Sequence, residues 1–175
     1  MIDWWPLLAV PRPDPQLSDG SGRMAAMVSY QLVIDCAAPE RMARFWADAL
    51  RYTVEPPPGG FDTWRDYWRS LGVPEDELGE GDGSDSIVDP EGYGPRIWFQ
   101  QVPEGKVVKN RFHLDVKVGG KREDVPLETR KARVDAEVER LIQAGASIVR
   151  VLSQPGVDHY AVAMVDPEGN EFDVV

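Results

Sequence analysis

Apolar positions recur along the chain with two different periods, and the change of period marks the predicted elements. Residues 28–36 form a short run rich in β-forming side chains, which predicts a strand. Residues 39–50 have helical periodicity, and Pro39 suits the first turn because the N–H that proline lacks would be unpaired there. Another strand is predicted over 52–55. The apolar face of the helix consists of Met42, Phe45, Trp46 and Ala49.

The second half of the chain repeats this order of elements. Residues 111–118 alternate and predict a strand, and a charged loop follows. Residues 132–144 have one apolar side and predict a helix, with Gly145 at the position where a helix commonly ends. Three strands are then predicted over 147–152, 160–165 and 170–175.

The tetrapeptide Asp-Pro-Glu-Gly occurs twice, at 89–92 and 166–169. Aspartate accepts hydrogen bonds from the backbone, proline presets φ and glycine takes the left-handed position, so each copy predicts a tight hairpin turn. A final strand follows each turn, and matching Phe99 with Phe172 in these strands aligns Gln100 with Asp173. The chain is therefore predicted to contain two copies of one βαβββ unit.

The two halves differ in length between the helix and the turn. Arg51 and Asp89 are 38 positions apart in the first half, and Gly145 and Asp166 are 21 positions apart in the second. The difference of 17 residues falls in 61–83, where an aromatic run predicts a short helix followed by an acidic, glycine-rich loop. This segment either covers one edge of the cleft or is a surface insertion.

These elements predict an α+β fold in which two βαβββ modules form a curved, half-open mixed β-sheet barrel with flanking helices. Module one spans 28–102 and module two spans 110–175, within one domain over 28–175. Residues 1–27 hold prolines and a Ser/Gly stretch, and they are predicted to form a flexible leader. Side chains that point inward from both modules are expected to converge on one small-molecule cleft.

The formal net charge of −11 excludes two broad classes of partner. Nucleic-acid and anionic-membrane binding both depend on lysine and arginine, so neither is expected. No run reaches the roughly 18–20 apolar residues of a membrane-spanning helix. The single cysteine, Cys36, excludes an intramolecular disulfide and fits a reducing, cytoplasmic location. Because Cys36 lies in an apolar run, it is predicted to be a buried structural thiol rather than a nucleophile.

Four polar residues on the predicted strands are candidates for a metal site. The first strands of the modules align Gln31 with His113, and the last strands align Gln100 with Asp173. In a duplicated fold, such positions can meet at one point. Imidazole and carboxylate are ordinary ligands of divalent first-row metals, whereas amides are weak donors. The alternative is that His113 is a hydrogen-bonded pocket residue and the other three are polar lining.

Four stretches of the sequence resemble the glyoxalase-like branch of the vicinal oxygen chelate superfamily, which includes glyoxalase I, bleomycin-resistance proteins and extradiol dioxygenases. The resemblance covers residues 28–175 and implies paired βαβββ modules with a cleft at their junction. The stretches are VIDCAAPERMARFW at 33–46, PRIWFQQVPEGKVVKNRFHLDV at 95–116, DAEVERLIQAGA at 135–146 and DPEGNEFDVV at 166–175.

The resemblance also implies where a metal would bind. Metal-binding members take their ligands from the first and last strands of each module, which here are Gln31, Gln100, His113 and Asp173. The implied cofactor is a divalent metal (Zn, Ni, Mn or Fe) or none, because the sequence departs from the glyoxalase I pattern. Gln100 replaces a carboxylate, and Asp173 is one methylene shorter than the usual glutamate. Gln31 in place of a histidine also disfavours dioxygenase chemistry.

Further residues complete the predicted site. Asp173 and His159 are candidates for proton transfer, although a histidine in a turn is more often exposed or structural. Arg111 lies in a basic segment that either holds an anionic substrate or is simply solvated. Three tryptophans offer flat stacking surfaces for an aromatic ligand, although aromatic residues are more often part of the core. They are Trp64, Trp68 and Trp98.

Two functions follow from these observations. The first is a metal-dependent lyase or isomerase acting on a small molecule with vicinal oxygens, which a metal would polarise. The alternative is a non-catalytic binding protein of the bleomycin-resistance kind, which would sequester an aromatic or cationic small molecule in an acidic, tryptophan-lined cleft. The expected partners are a small-molecule ligand and a second copy of the chain in a homodimer.

Overall fold

The computed structural model describes residues 30–79 and 81–175, so the predicted leader over 1–27 lies outside the described residues. No helix in the described part of the chain is long and apolar enough to cross a lipid bilayer. The first module contains β1 (Gln31–Cys36), α1 (Pro39–Leu50), β2 (Thr53–Val54), a 3-10 helix (Pro58–Gly60), α2 (Trp64–Ser70), β3 (Ser86–Val88) and β4 (Arg96–Gln101). The second contains β5 (Asp115–Val116), α3 (Leu127–Gln143), β6 (Ser147–Ser153), β7 (Tyr160–Val165) and β8 (Glu171–Val174).

Each module forms its own four-stranded mixed sheet. The first sheet has strand order β1-β4-β3-β2, and the second has the corresponding order β5-β8-β7-β6. In each sheet the first and last strands of the module run parallel, and the other neighbours are antiparallel. The two sheets do not close into a complete barrel. The predicted α+β fold of two βαβββ modules with flanking helices is therefore confirmed.

Both Asp-Pro-Glu-Gly sequences form the predicted turns, one between β3 and β4 and one between β7 and β8. The Gly92 amide donates to the Asp89 carbonyl oxygen at 3.1 Å, and the Gly169 amide donates to the Asp166 carbonyl oxygen at 3.0 Å. The φ angles of these glycines are 78° and 87°, values that other residues rarely adopt. The repeated tetrapeptide thus marks equivalent hairpins in the two modules.

Helix α1 joins the cores of the two modules. Its Phe45 and Trp46 rings meet Phe172 of β8 edge to face, with centroid distances of 6.1 and 5.2 Å. All three side chains are buried. The Trp46 indole N–H also donates to the buried Asp166 carboxylate at 3.2 Å. Aromatic pairs of this geometry add to the free energy gained from apolar burial, so the contact fixes the helix of module one against the second sheet.

Arg51 ends α1 in a left-handed conformation, with φ of 60° and ψ of 30°. Glycine is usual at such a position, because a Cβ atom strains left-handed backbone. The Arg51 guanidinium donates to Glu137 of α3 at 3.0 Å, and Arg140 donates to the same carboxyl group at 2.7 Å. Both arginines lower the pKa of Glu137, and the Arg140 hydrogen bond is the largest cause. The strained end of α1 is thereby tied to the second module.

Two predicted boundaries in the second module are wrong. The strand predicted over 111–118 is confined to β5, Asp115–Val116. The residues before it belong to an exposed connection in which Phe112 is 90% exposed, so their alternation does not reflect a sheet face. The helix predicted from Ala132 begins at Leu127, because the charged residues that suggested a loop are compatible with a helix after Pro126. The aromatic helix predicted in the insertion is confirmed as α2.

We predict that Asp166 contributes more to stability than its counterpart Asp89. The buried carboxylate accepts hydrogen bonds from the Trp46 indole, from two backbone amides of the turn and from the Asn170 side chain. Asp166→Ala leaves these donors unpaired, so the free energy of unfolding should fall by about 2–4 kcal/mol in urea denaturation. Asp89→Ala is the matched control in the more exposed turn and should cost clearly less. Equal losses would contradict the prediction.

Candidate functional site

Each sheet has one face that packs on the core and one that does not, which we call the helix-free face. On β8, Phe172 and Val174 are buried in the core. Because side chains alternate along a strand, Glu171 and Asp173 lie on the helix-free face. Asp115 of β5 pairs with Asp173 across the parallel strands. Neighbouring strands lie about 4.8 Å apart, so these two carboxylates stand side by side.

His113 completes a group of three potential metal ligands that we call the His113 cluster: His113, Asp115 and Asp173. The His113 Nε2 atom lies 3.4 Å from Oδ1 of Asp115 and 3.7 Å from Oδ2 of Asp173. One ligand atom from each residue can be chosen so that all lie within 4.8 Å of one another. The side chains of His113 and Asp115 are 47% and 46% exposed, against 26% for Asp173. The cluster is therefore open to a ligand from the solvent side.

The structure brings together two of the four residues predicted to bind metal and adds a third that the sequence analysis missed. Asp115 follows His113 by two residues, a spacing that puts both side chains on one face of an extended segment. This His-x-Asp spacing is the signal that could have identified Asp115. The assignment of His113 and Asp173 as metal ligands stays a prediction.

Glu171 fixes the connection that leads into the His113 cluster. Its carboxylate accepts a hydrogen bond from the Asn110 backbone N–H at 3.0 Å and pairs with Lys106 Nζ at 2.9 Å. These contacts, the Asn110 hydrogen bond first, lower the pKa of Glu171 to about 2. Asn110 precedes His113 by three residues, so Glu171 helps to hold His113 beside Asp173. Glu171 was not among the site residues predicted from the sequence.

Arg96 of β4 is the centre of a hydrogen-bonded network on the helix-free face of the first sheet. Its guanidinium donates to Glu55 at 2.6 Å, to Oε1 of Gln31 at 2.9 Å and to Oγ of Ser86 at 2.7 Å. The amide oxygen of Gln31, a predicted metal ligand, thus already accepts from a fixed positive charge. A second cation beside Gln31 would be repelled by Arg96. Arg96 was not among the residues predicted from the sequence, although it is the only charged residue of β4 and this is a usable signal.

The three tryptophans predicted to stack on a ligand are all partly exposed. Trp98 lies on the helix-free face, and its indole N–H donates to Asp85 at 2.8 Å. The indole N–H of Trp64 donates to the Glu55 carbonyl oxygen at 2.7 Å, which ties α2 to the edge of the first sheet. The Trp64 and Trp68 rings stack at 5.8 Å with an interplanar angle of 26°. Their role in ligand binding stays a prediction.

Strand pairing aligns the two modules through their repeated turns. Ser86, three residues before Asp89, pairs with Trp98, and Ala163, three residues before Asp166, pairs with Asp173. Trp98 is therefore the structural counterpart of Asp173.

Trp98 pairs with Val33 of β1 and Asp173 pairs with Asp115 of β5, so Gln31 and His113, each two residues earlier, are equivalent as predicted. The predicted match of Gln100 with Asp173 is shifted by two residues, which keeps the face of the strand and changes the position. The metal-ligand role of Gln31 and Gln100 stays a prediction. In module one, the positions of the His113 cluster are taken by Gln31, Val33 and Trp98.

His159 lies in the loop before β7 and is not brought to the His113 cluster. The β7 residue that pairs with Asp173 is Ala163, four residues further along. At about 3.3 Å per residue, His159 lies about 13 Å from that point along the strand. Arg111, two residues before His113, is exposed. The roles of His159 in proton transfer and of Arg111 in substrate binding stay predictions.

A cavity with a volume of about 480 Å³ lies beside the junction of the modules, and its walls include no member of the His113 cluster. Glu168 at its wall accepts hydrogen bonds from the backbone amides of Ala37 and Ala38 at 2.7 and 2.8 Å. Burial, helped by Glu168, raises the pKa of the Cys36 thiol to about 12, so Cys36 stays protonated. The prediction that Cys36 is buried is confirmed. The cavity is lined by Asp35, Cys36, Val102, Glu104, Lys106 and Asn170 as well as Glu168.

Comparison with known proteins identifies the family to which this architecture corresponds. Residues 31–175 match the family model of a glyoxalase-like domain. The chain belongs to this family. The glyoxalase-like domain spans β1 to β8 and therefore contains both modules, so the resemblance to the vicinal oxygen chelate superfamily is confirmed. No curated protein matches the chain by sequence.

Several solved structures share the fold of this glyoxalase-like domain. The fosfomycin resistance protein FosX from Listeria monocytogenes is 9% identical with a TM-score of 0.51, over 85% of this chain and 93% of that one. A mutant of the same protein, complexed with Mn(II) and 1S,2S-dihydroxypropylphosphonic acid, is 10% identical with a TM-score of 0.50, over 86% and 90%. A glyoxalase/bleomycin resistance protein/dioxygenase family enzyme from Burkholderia phytofirmans is 16% identical with a TM-score of 0.49, over 82% and 94%. At these identities the likeness shows the fold alone.

We predict that Glu171 loses its hold on the connection only in strong acid. Its lowered pKa means that the ionised carboxylate stabilises the folded state above the ordinary glutamate pKa of about 4.3, and that this contribution is lost as the pH falls toward 2. Wild-type and Glu171→Gln proteins should differ in free energy of unfolding at neutral pH and converge in acid. Urea denaturation over this pH range measures the difference, with Glu104→Gln as the control. A difference that stays constant down to the lowest pH would contradict the prediction.

Proposed function

We propose that this glyoxalase-like domain is a divalent-metal-dependent enzyme that acts as a lyase or isomerase on a small molecule with vicinal oxygens. The observation that carries the proposal is the His113 cluster, in which one imidazole and two carboxylates meet on a helix-free face. Within residues 30–79 and 81–175, His113 is the only ion-pair partner of Asp115 and Asp173. Two neighbouring carboxylates with no lysine or arginine partner favour a bound cation.

The distances within the cluster fit a metal ion. Zinc binds histidine nitrogen and carboxylate oxygen at about 2.0–2.2 Å, so two ligand atoms in adjacent coordination positions lie about 2.8–3.6 Å apart. The observed separations of 3.4 and 3.7 Å reach this range with small side-chain movements. One imidazole with two carboxylates suits zinc, nickel, manganese or iron.

Different residues of the chain would have different roles around such a metal. When bound, it would polarise the substrate oxygens and lower the pKa of a bound water. His113, Asp115 and Asp173 would hold it. Asp173 has the least exposed side chain of the three and is best placed to take up a proton beneath a bound substrate. Glu171 keeps the connection in place, and the exposed Arg111 can contact an anionic group of the substrate.

The comparisons support the proposal at the level of chemical class. One protein of the same fold forms a complex with Mn(II) and 1S,2S-dihydroxypropylphosphonic acid, a small molecule with hydroxyl groups on neighbouring carbons. The shared fold gives this chain a strand arrangement of the same kind, and the His113 cluster gives it ligands for a divalent cation. The identity of its substrate is left to experiment.

Metal binding by the purified protein is the first test. We expect one Zn²⁺, Ni²⁺, Mn²⁺ or Fe²⁺ per chain in calorimetric titration. His113→Ala, Asp115→Asn and Asp173→Asn each remove one ligand. Loss of a residue that only orients a ligand costs about 10–100-fold in metal affinity, so each of these changes should cost at least about 100-fold. Binding that survives in all three variants would contradict the proposal.

Matched variants define the extent of the metal site. Asp85→Asn removes a carboxylate from the first sheet and should leave the metal affinity unchanged. Gln31→Ala and Gln100→Ala test the other two residues predicted from the sequence. A loss of affinity in these two would extend the site to the first module, whereas unchanged affinity would confine the site to the His113 cluster.

A non-catalytic binding protein is the second candidate, and Trp98 supports it. Its partly exposed indole is held by Asp85 on the helix-free face and offers a preformed flat surface to an aromatic ligand. The net charge of −11 favours a cationic ligand. Such a protein would bind its ligand without a metal.

Ligand titration with and without a chelator separates the two candidates. A panel of vicinal diols, hydroxyketones and aromatic cations would be added while tryptophan fluorescence reports binding and NMR reports product. The enzyme should show turnover that is lost with the chelator and in Asp173→Asn. The binding protein should show fluorescence quenching that is indifferent to the chelator and lost in Trp98→Leu. Turnover that persists in the presence of chelator would contradict the metal-dependent proposal.

A further inference from the structure

Strand β6 is the outer strand of the second sheet, since the order β5-β8-β7-β6 gives it a single neighbour among the described residues. Its outer edge therefore presents free backbone N–H and C=O groups over the length of Ser147–Ser153. Natural edge strands are usually short or protected by proline, lysine or a bulge. The sequence SIVRVLS contains neither proline nor lysine, and its only charged residue is Arg150.

Three apolar side chains of β6 are about half exposed. Ile148, Val149 and Val151 are 50%, 54% and 53% exposed. Val149 is the additional residue of a bulge between Ile148 and Arg150, and Arg150–Ser153 then pair regularly with β7. The bulge protects only the first part of the edge. The regular part remains a template for another strand.

A second copy of β6 fits this edge because the strand is complementary to itself. A two-fold contact requires that one surface match its own rotated copy. Antiparallel pairing centred on Val151 sets this residue opposite its own copy. Arg150 then faces Leu152 of the second copy, and Val149 faces Ser153. This register keeps the two Arg150 charges apart, whereas a register centred on Arg150 would oppose them directly at a cost in stability.

We propose that β6 pairs antiparallel with β6 of a second copy, centred on Val151, and joins the two second sheets into one continuous sheet across a homodimer. The pairing satisfies the free backbone groups and covers part of the exposed apolar surface of β6. The surface lies at the opposite edge of the second sheet from β5, which adjoins the His113 cluster. The inference is therefore independent of the proposed function.

The oligomeric state of the full chain gives the first test. Sedimentation velocity should show a dimer fraction that rises with protein concentration. Val151→Lys places two like charges across the two-fold axis and should give a monomer throughout, with an unchanged circular dichroism spectrum because Val151 is already half exposed. Val107→Lys is the matched control: Val107 is 92% exposed in the connection between the modules, and its variant should dimerise like the wild type.

Cysteine cross-linking tests the register. Cα atoms directly opposite each other in an antiparallel pair lie about 4.5–5.5 Å apart, within reach of a disulfide, whereas diagonal positions lie about 7–8 Å apart. Val151→Cys should therefore form a covalent dimer under mild oxidation. Arg150→Cys is also exposed but diagonal to its own copy, and it should cross-link about tenfold less. Wild-type protein gives the baseline, because its only cysteine, Cys36, is buried.

Three outcomes would overturn the proposal. The first is a full chain that stays monomeric at every concentration. In that case, failure of the Val151→Cys thiol to react with a maleimide would show that another segment of the chain covers β6. The second is a dimer that persists in Val151→Lys, which would place the interface elsewhere. The third is equal cross-linking of Arg150→Cys and Val151→Cys, which would exclude pairing centred on Val151.

Discussion

The packing of α1 against both sheets is the constraint on which the rest of the structure depends. Phe172 of β8 is buried because Phe45 and Trp46 of the other module cover it edge to face. The Trp46 indole needs an acceptor in this apolar surrounding, and Asp166 provides it at the turn before β8. Apolar burial thus sets the position of α1, and the hydrogen bond from Trp46 to Asp166 fixes the turn before β8 against this helix. The modules cannot separate without exposing this aromatic contact and leaving a buried donor unpaired.

The same packing determines the direction of the site residues. Once Phe172 faces the core, the alternation of β8 sends Asp173 to the helix-free face. The parallel register then sets Asp115 beside Asp173, and the Glu171 hydrogen bond to the connection brings His113 to both. The position of Asp173 in the His113 cluster therefore follows from aromatic packing on the opposite face of β8. The hydrogen bond from Asn110 to Glu171 restrains the exposed connection that carries His113.

Local patterns were enough to predict the elements whose signals are local. α1 has the predicted bounds because proline at its start and the helical apolar period agree, and both Asp-Pro-Glu-Gly turns form for reasons contained in four residues. The arrangement of the site residues depends on the register in which the strands pair, and no local pattern of the sequence specifies that register. Strand pairing keeps Gln31 and His113 equivalent, as predicted, but it makes Trp98 rather than Gln100 the counterpart of Asp173. Asp115 and Arg96 escaped notice because their partners lie on other strands. The strand predicted over 111–118 failed because its alternation continues into an exposed connection.

The two modules have kept the same backbone and diverged in charge. The first sheet satisfies its polar residues internally, with Arg96 as a fixed cation between Glu55 and Gln31. In the second sheet, no arginine pairs with Asp115 or Asp173 within the described residues, and these carboxylates meet only an imidazole. Gln31, in the position equivalent to His113, also gives module one an amide instead of an imidazole. A guanidinium and a divalent metal repel each other, so a metal near Gln31 would compete with a cation that the fold already holds in place. The metal site that we propose therefore lies on one module, although the duplicated backbone offers two equivalent positions.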